Sequence, residues 1–510
     1  MLLALYDLRS KQEYIYRTNR IREISGGSAL LSKVYERFIK EAHGKGIKFF
    51  NNGNWKDMDF SLKAFEDSDC SAEVVYIGGG NLMVIYKSEE KYRAANRIFS
   101  RLLLDETWTV SAVVSGVPVS GNFIKDRAEL YRRKALNKST GNIAVPCSVL
   151  PFTQVDMRTY MPIVEKVNDK DKQESLSRES VCKLKAYEEN NPDKNDELSA
   201  IYLDDLAADK GRESLLAIIY IDGNNMGAKL MQALGEETGY DKCVNALRRF
   251  SEKTDHDFVD APIREVENML TKKQAAGIKY AKYRRVIAGG DEITLICNAR
   301  IVPEILKVYF DTLDSENSLN YACAGVAIFH SHAPFADVYE IAEQCCESGK
   351  KCSRKYKREY NNKEYESCAN FVDFHFCRAG ITNDMEIVRG KQENGLTARP
   401  YRVDGEHNGY SYPEFIRFAK EVKEIGRANI KELAAAIIKG DSYYRYEIER
   451  INSRRFKIKF AEETEHTDKT EPEKERLIHI DPKDEKSKKM IFDIAQVYDL
   501  WFAGEGEVEK

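Results

Sequence analysis

Nothing in the 510-residue sequence approaches the roughly 18–20 consecutive apolar residues that span a bilayer. The apolar start, MLLALYDLRSKQEY, is interrupted at Asp7 and lacks the longer apolar stretch and cleavage site of a secretory leader, so it reads as a buried first strand. No CxxC pair occurs. The 11 cysteines are odd in number and scattered, which argues against structural zinc and fits free thiols in a reducing cytoplasm. Histidine is scarce, at 8 residues, and the dipeptide His256-Asp257 has no histidine shortly upstream to complete a metal cluster. His330 and His332 follow a strand and read as structural or surface groups. Neither sign of charge dominates: 79 Lys and Arg stand against 83 Asp and Glu, a formal net charge of −4. That balance argues against a surface coated in basic charge for grasping nucleic acid, though it permits a local basic cleft.

What is present is enough for two to four domains, with 42% hydrophobic residues to build cores. The chain also repeats itself. LLALYDL ends on Asp7; helical segments follow, one before and one after Ser25-Gly26-Gly27-Ser28; AEVVYI then runs into Gly78-Gly79-Gly80-Asn81 and LMVIY, and a helix and a strand complete the unit. SLLAIIYI ends on Asp222, and a helix is expected from about Gly227. YRRVIA runs into Gly289-Gly290-Asp291-Glu292 and ITLICN, and helix, strand and helix follow. In both halves the acid-ended strand precedes its glycine hairpin by about 70 residues.

This is a βαββαβ layout, the ferredoxin-like plan of polymerase palms. The fold class expected is therefore α+β: two ferredoxin-like palm domains with an α-helical C-terminal domain. The divisions are 1–150 (degenerate palm, GGGN), 151–213 (charged linker with short helices), 214–380 (catalytic palm, GGDE) and 381–510 (helical). Residues 461–489 are nearly all polar and read as a loop before the closing amphipathic helix IFDIAQVYDLWFA.

Phosphoryl transfer needs a divalent cation to offset phosphate charge, and magnesium takes oxygen ligands, usually one or two carboxylates plus phosphate and water. A palm supplies carboxylates from the end of its first strand and from the adjacent hairpin turn, which here are Asp222 and the pair Asp291-Glu292. Gly289 and Gly290 would let that hairpin turn tightly beside a triphosphate. Asp222-Gly223-Asn224-Asn225-Met226-Gly227 leads into a helix whose first N–H groups can hold phosphate oxygens. Lys350 and Lys351 end a later helix and could neutralise the triphosphate. Two basic stretches with interleaved tyrosines, 272–285 and 349–358, could contact phosphates of RNA or product, or form solvated helix faces.

GGDE resembles the GGDEF and GGDD turns of nucleotidyl cyclases. DGNNMG resembles the D-x-D-N-L-G segment of the large polymerase-cyclase subunit of type III CRISPR complexes. QEYIYRTNRIREISGGSALLS and YIGGGNLMVIY are similar to that family's first palm, and LTARPY and FVDFH look familial too. The resemblance implies an enzyme that binds ATP, or another NTP, where the palms meet. It joins ATP 3′–5′ into cyclic oligoadenylate, a second messenger in antiviral defence that activates a downstream effector. It implies Mg²⁺ or Mn²⁺ held by Asp222 and Asp291, with Glu292 as a third ligand or as the base for the 3′-hydroxyl. Gly223, Asn224, Asn225, Gly227, Gly289 and Gly290 would adjoin the nucleotide. In the first palm, Gly79, Gly80 and Asn81 would contact a second nucleotide, with Ser25 and Ser28 beside them at a helix N-terminus, or serving only as helix caps. RNA or other CRISPR subunits are the implied partners, in the cytoplasm and without a membrane.

This sequence departs from the family pattern at two points. Asn224 stands where the family has its second acid, and the first palm carries Gly80-Asn81 in place of Asp291-Glu292, so no chemistry is expected there. The family's N-terminal HD nuclease and zinc module are not visible, which leaves open a stand-alone enzyme or a member of a guide-RNA complex. Two other readings compete. One is a non-catalytic scaffold of an RNA-guided complex, which would have no use for carboxylates that are costly to bury. The other is a GTP-using cyclic dinucleotide synthase, disfavoured because such cyclases normally bring two half-sites together by dimerising.

Overall fold

A computed structural model describes all residues except 19, 57, 141–149, 151, 170–171, 190–205, 207–214, 314–318, 361–362, 378–383, 454–457, 460–477, 480–483 and 503–510. Most of the loop expected over 461–489 therefore lies outside the described residues. Its last five residues already belong to the closing helix Glu485–Trp501, which Asp484 caps through its side chain.

The architecture is α+β. The first sheet holds β1 (Leu2–Leu8), β2 (Ala72–Gly78), β3 (Asn81–Tyr86) and β4 (Ala112–Pro118), in the order β2-β3-β1-β4. Every neighbouring pair is antiparallel. The second sheet repeats this order with β5 (Leu215–Gly223), β6 (Tyr283–Gly289), β7 (Glu292–Asn298) and β8 (Ala322–His330) as β6-β7-β5-β8, again antiparallel throughout. Two further strands, β9 (Phe371–Phe376) and β10 (Tyr401–Arg402), extend it beyond β8. The register shows the repeat residue by residue: Asp7 lies opposite Asn81 in the first sheet, as Asp222 lies opposite Glu292 in the second.

β1 and β5 are almost continuously apolar because both faces of each sheet are covered. Leu216, Ile218 and Tyr220 point into a core shared with Tyr6 and Leu8, helix α1 (Ile21–Gly44) and a helix after β8 (Phe335–Ser353). Leu215, Ala217, Ile219 and Ile221 face the opposite core, built with the C-terminal helices. One helix crosses between units. α2 (Tyr240–Asp255) follows β5 in sequence, yet its Cys243, Val244 and Leu247 pack on Leu3, Leu5, Met83 and Ile85 of the first sheet. Its buried Arg248 donates to the carbonyls of Val75, Val74 and Met58.

Glu73 of β2 lies 3.6 Å from that guanidinium, with one carboxylate oxygen unbonded. Burial pushes its carboxyl up to about 7, against the opposing pull of Arg248. Ionising Glu73 thus costs the folded state, and its contribution to stability declines as pH rises from about 4.5 through about 7. Glu73→Gln is expected to flatten the dependence of Tm on pH over that window, which calorimetry would read.

Two segments differ from their sequence-based expectation. Ser25-Gly26-Gly27-Ser28 does not separate two helices; it lies inside α1, and the break falls instead between Tyr16 and Ile21. A Cβ on Gly26 would sit 1.9 Å from the Lys183 carbonyl oxygen, so this glycine serves close helix contact rather than a turn. Lys183 belongs to the helix Arg178–Glu189, within the stretch expected as a charged linker of short helices. That stretch also contains an antiparallel pair, Met161–Asp169 with Lys172–Ser177. Its charges are matched inside the fold: Lys183 Nζ is buried against Glu179, 2.7 Å away, and Glu179 also accepts from Arg17 at 2.5 Å.

Candidate functional site

β5 delivers Asp222 to the sheet end, directly opposite Glu292 on β7. Gly289 pairs with Glu292, which leaves Gly290 and Asp291 as a two-residue turn. Only Gly290 uses the freedom foreseen for both glycines, with φ 66°. The turn folds back on β5: Gly223 N–H donates to the Asp291 carbonyl at 3.1 Å. A Cβ on Gly223 would lie 2.8 Å from the Asp291 Cβ, so this glycine is what admits Asp291 alongside Asp222.

The result is two carboxylates held together. Burial, then the Asp222 charge and a hydrogen bond to it, push Asp291 up to about 7. Lys350 Nζ lies 2.5 Å from Asp222 Oδ2 and 3.0 Å from the Gly223 carbonyl oxygen. Burial would lower this lysine, but Asp222 more than offsets that and raises it. Glu292 is also pushed up to about 7, by burial and then by Asp222, with Lys11 opposing. It accepts from Tyr339 OH at 3.4 Å, and Tyr339 accepts from Gln12 at 3.2 Å.

Among the described residues no three His, Cys, Asp or Glu side chains converge as a metal site. The fold brings together the pair Asp222–Asp291, with Glu292 cross-strand from Asp222 and accepting from Tyr339. Two neighbouring carboxylates, one of them kept partly protonated by the other, suit a cation that takes its remaining ligands from phosphate and water.

The turn is also buttressed from behind. Asp255, the last residue of α2, accepts from Gly290 N–H at 2.5 Å. The chain then passes through one π-turn, His256–Asp260. That turn places Phe258 3.2 Å from where a Gly223 Cβ would stand.

The first sheet's counterpart is different. Asp7 is the sole acid at its equivalent position, and Lys134 (3.5 Å) and Lys138 (3.8 Å) already sit on it. Gly79 and Gly80 make the turn with φ 57° and 74°. Lys11 donates to the Gly79 carbonyl at 3.2 Å, and Asn81 to the same oxygen at 3.2 Å.

Several expected nucleotide contacts lie elsewhere. Ser25 Oγ accepts from Arg284 Nε at 2.9 Å and Ser28 Oγ donates to the Val286 carbonyl; both tie α1 to β6 instead of flanking the GGGN turn. Asn224 is buried, its amide donating to Ser353 Oγ at 3.0 Å and the Ala369 carbonyl at 2.9 Å, so it braces the fold and does not face the acids. Asn225 and Gly227 are exposed at the start of helix α3 (Met226–Leu234). Asn225 stands at the cap position in the left-handed region, φ 56°, with no side-chain cap. Lys351 turns outward to Glu386, at 3.4 Å. Of the basic stretch 272–285, Arg284 is buried against Ser25 and is no part of a solvated face.

No family model matches the chain, and no curated protein matches it. Solved structures similar to it are Csm1-Csm4 cassettes. One in complex with cA4 shares 13% identity at a TM-score of 0.42, covering 72% of this chain and 56% of that one. One in complex with AMPPNP shares 12% identity at 0.42 with the same coverage. A Csm1-Csm4 subcomplex of the type III-A CRISPR-Csm interference complex shares 11% at 0.39, covering 69% and 53%. The chain spans little more than half the length of these solved chains. No helix among the described residues is long and apolar enough to cross a membrane.

Sequence reasoning missed several residues around the acids. Tyr339 and Glu343 share one face of the helix Phe335–Ser353 with Lys350, which the sequence did single out, at spacings of four and seven, a pattern legible in FADVYEIAEQCCESGKK. Lys11 stands four residues after Asp7, and Asp255 directly precedes the His-Asp dipeptide that was set aside. Lys229 stands four residues after Asn225 on α3.

Proposed function

We propose that this chain is a metal-dependent nucleotidyltransferase. It joins ATP 3′–5′ into a cyclic oligoadenylate-like second messenger in type III CRISPR antiviral defence. The observation that carries the reading is the pairing of Asp222 with Asp291 in a glycine hairpin turn, beside Lys350 and the open start of α3. The two repeated sheets are read as palms, the first degenerate, with a helical C-terminal domain.

Asp222 and Asp291 would hold Mg²⁺ or Mn²⁺, which supplies charge compensation for the phosphates and acidifies the attacking hydroxyl. Glu292 sits on the same face as Asp222 because the two are cross-strand partners. Its raised affinity for protons near neutrality suits it to take the proton of the 3′-hydroxyl. Tyr339 and Gln12 orient that carboxylate, and Gln12 comes from the segment after β1, so both halves shape the site. Lys350 would pass from Asp222 to phosphate oxygens as a point charge when nucleotide enters.

Incubation of purified protein with each NTP and Mg²⁺ or Mn²⁺, read by mass spectrometry, tests the reading. An oligoadenylate supports it. A product from GTP alone would replace adenine with guanine, and no product from any NTP, with or without RNA, would leave a scaffold. Gly223→Ala probes the geometry. The added methyl collides with Asp291 and is expected to cut product formation by about 10–100-fold with the fold retained, since a shift on the order of 1 Å at reacting groups costs that much.

A further inference from the structure

One cation near the acids is unused by the account above. Lys229 lies on α3, one turn beyond Asn225, and its Nζ is shut off from solvent with no hydrogen-bond partner among the described residues. The ammonium stands 5.7 Å from the centre of the Phe258 ring, and Phe258 is the same ring that packs against Gly223. Burial pushes the ammonium down to about 8, against the opposing pull of Cys368 and then Asp291. Burying an ammonium with no acceptor is costly, so a fold that keeps one beside a functional cluster holds it for an anion that arrives later.

The surroundings say which anion. Of the other ammonium groups near the acids, Lys350 is held by Asp222 and the Gly223 carbonyl until nucleotide enters, and Lys11 donates to the Gly79 carbonyl. Lys229 lies on the Phe258 side of Gly223, within the first helical turn after Asn225, whose side chain leaves the first N–H groups of α3 uncapped. Uncapped helix N–H groups and a buried ammonium together suit a compact, highly charged phosphate group. We propose that Lys229 is a binding residue for the terminal phosphates of the nucleoside triphosphate, reached only when nucleotide occupies the site. This rests on the nucleotide-joining reading above and adds to it a specific recognition of the triphosphate over the monophosphate.

Lys229→Met keeps the aliphatic length and deletes the charge. Thermal shift and calorimetric titration with ATP, AMP and inorganic tripolyphosphate test it, with Lys307→Met as a control. Lys307 is an exposed lysine paired to Asp311 in its own helix. The wild-type protein and the Lys307 variant are expected to be stabilised by ATP and by tripolyphosphate. Lys229→Met is expected to melt at the same or higher temperature without ligand and to bind both at least about tenfold more weakly, with any AMP binding unchanged. Full retention of ATP and tripolyphosphate binding by Lys229→Met overturns the inference alone. A ligand-free Lys229→Met protein that melts lower than wild type shows a structural lysine and also overturns it. Absence of any shift in wild type with either ligand overturns both this inference and the reading on which it rests.

Discussion

Asp291→Asn is expected to abolish nucleotide joining, by on the order of 10³-fold or more, while the protein stays folded. The side chain is isosteric, so Gly223 still admits it and the Gly223–Asp291 backbone bond is untouched. What disappears is one of the two charges that would hold the cation, a loss of several kcal/mol at the transition state. The same substitution removes a like-charge pair from a half-buried site. The metal-free variant is therefore expected to melt a few degrees above wild type near pH 7.5, and added Mn²⁺ to stabilise wild type more than the variant. Mass spectrometry of products and a melting curve check both halves. A variant that forms product at the wild-type rate would exclude Asp291 from the chemistry.

The second large effect lies far from the acids. Arg399 is fully buried, and Glu393 (2.5 Å) and Asp493 (3.1 Å) flank it, while it also donates to the Phe374 carbonyl of β9. Asp493, on the closing helix Glu485–Trp501, further accepts from Thr397 at 2.8 Å, Ala398 N–H at 3.0 Å and Tyr401 at 2.8 Å. Arg399→Met would leave Asp493 buried without its cation and Glu393 with the more distant Arg389, 3.7 Å away, at a cost of about 3–5 kcal/mol. The expected readout is a lower denaturant midpoint together with protease cleavage in the C-terminal helices, because this cluster joins them to the second sheet. Asp493→Asn, which keeps most of the hydrogen bonds, is expected to cost less.

These two clusters differ in how far the sequence announced them. The acids were legible because strand-ending and hairpin-turn positions are set by local pattern, and the palm layout set the strand ending on Asp222 beside the hairpin of Asp291 and Glu292. LTARPY and FVDFH stood out only as motifs; their work as an ion network depends on Asp493, about a hundred residues away, and no local pattern carries such a distance. Ser25, Ser28 and Asn224 were misplaced for a related reason. A serine beside glycines, or a polar residue just after a strand-ending acid, reads as ligand-facing. Here the partners that decide their orientation, Arg284, Val286, Ser353 and Ala369, come from distant segments. The charge-rich stretch after residue 165 read as linker because its compensating charges, Arg17 among them, lie in another part of the chain.

α2 has a consequence for how the molecule can be divided. Its start and middle are bolted to the first sheet through Tyr240, Asn245 and Arg248, and its last residue grips the turn that carries Asp291. The acid-poor half is thus a splint for the acid-bearing half. Cut between the two sheets and expressed as separate pieces, the chain would strand this helix with its apolar face uncovered. The turn that carries Asp291 would be left on a lever with its rest removed, so the folding unit is the pair.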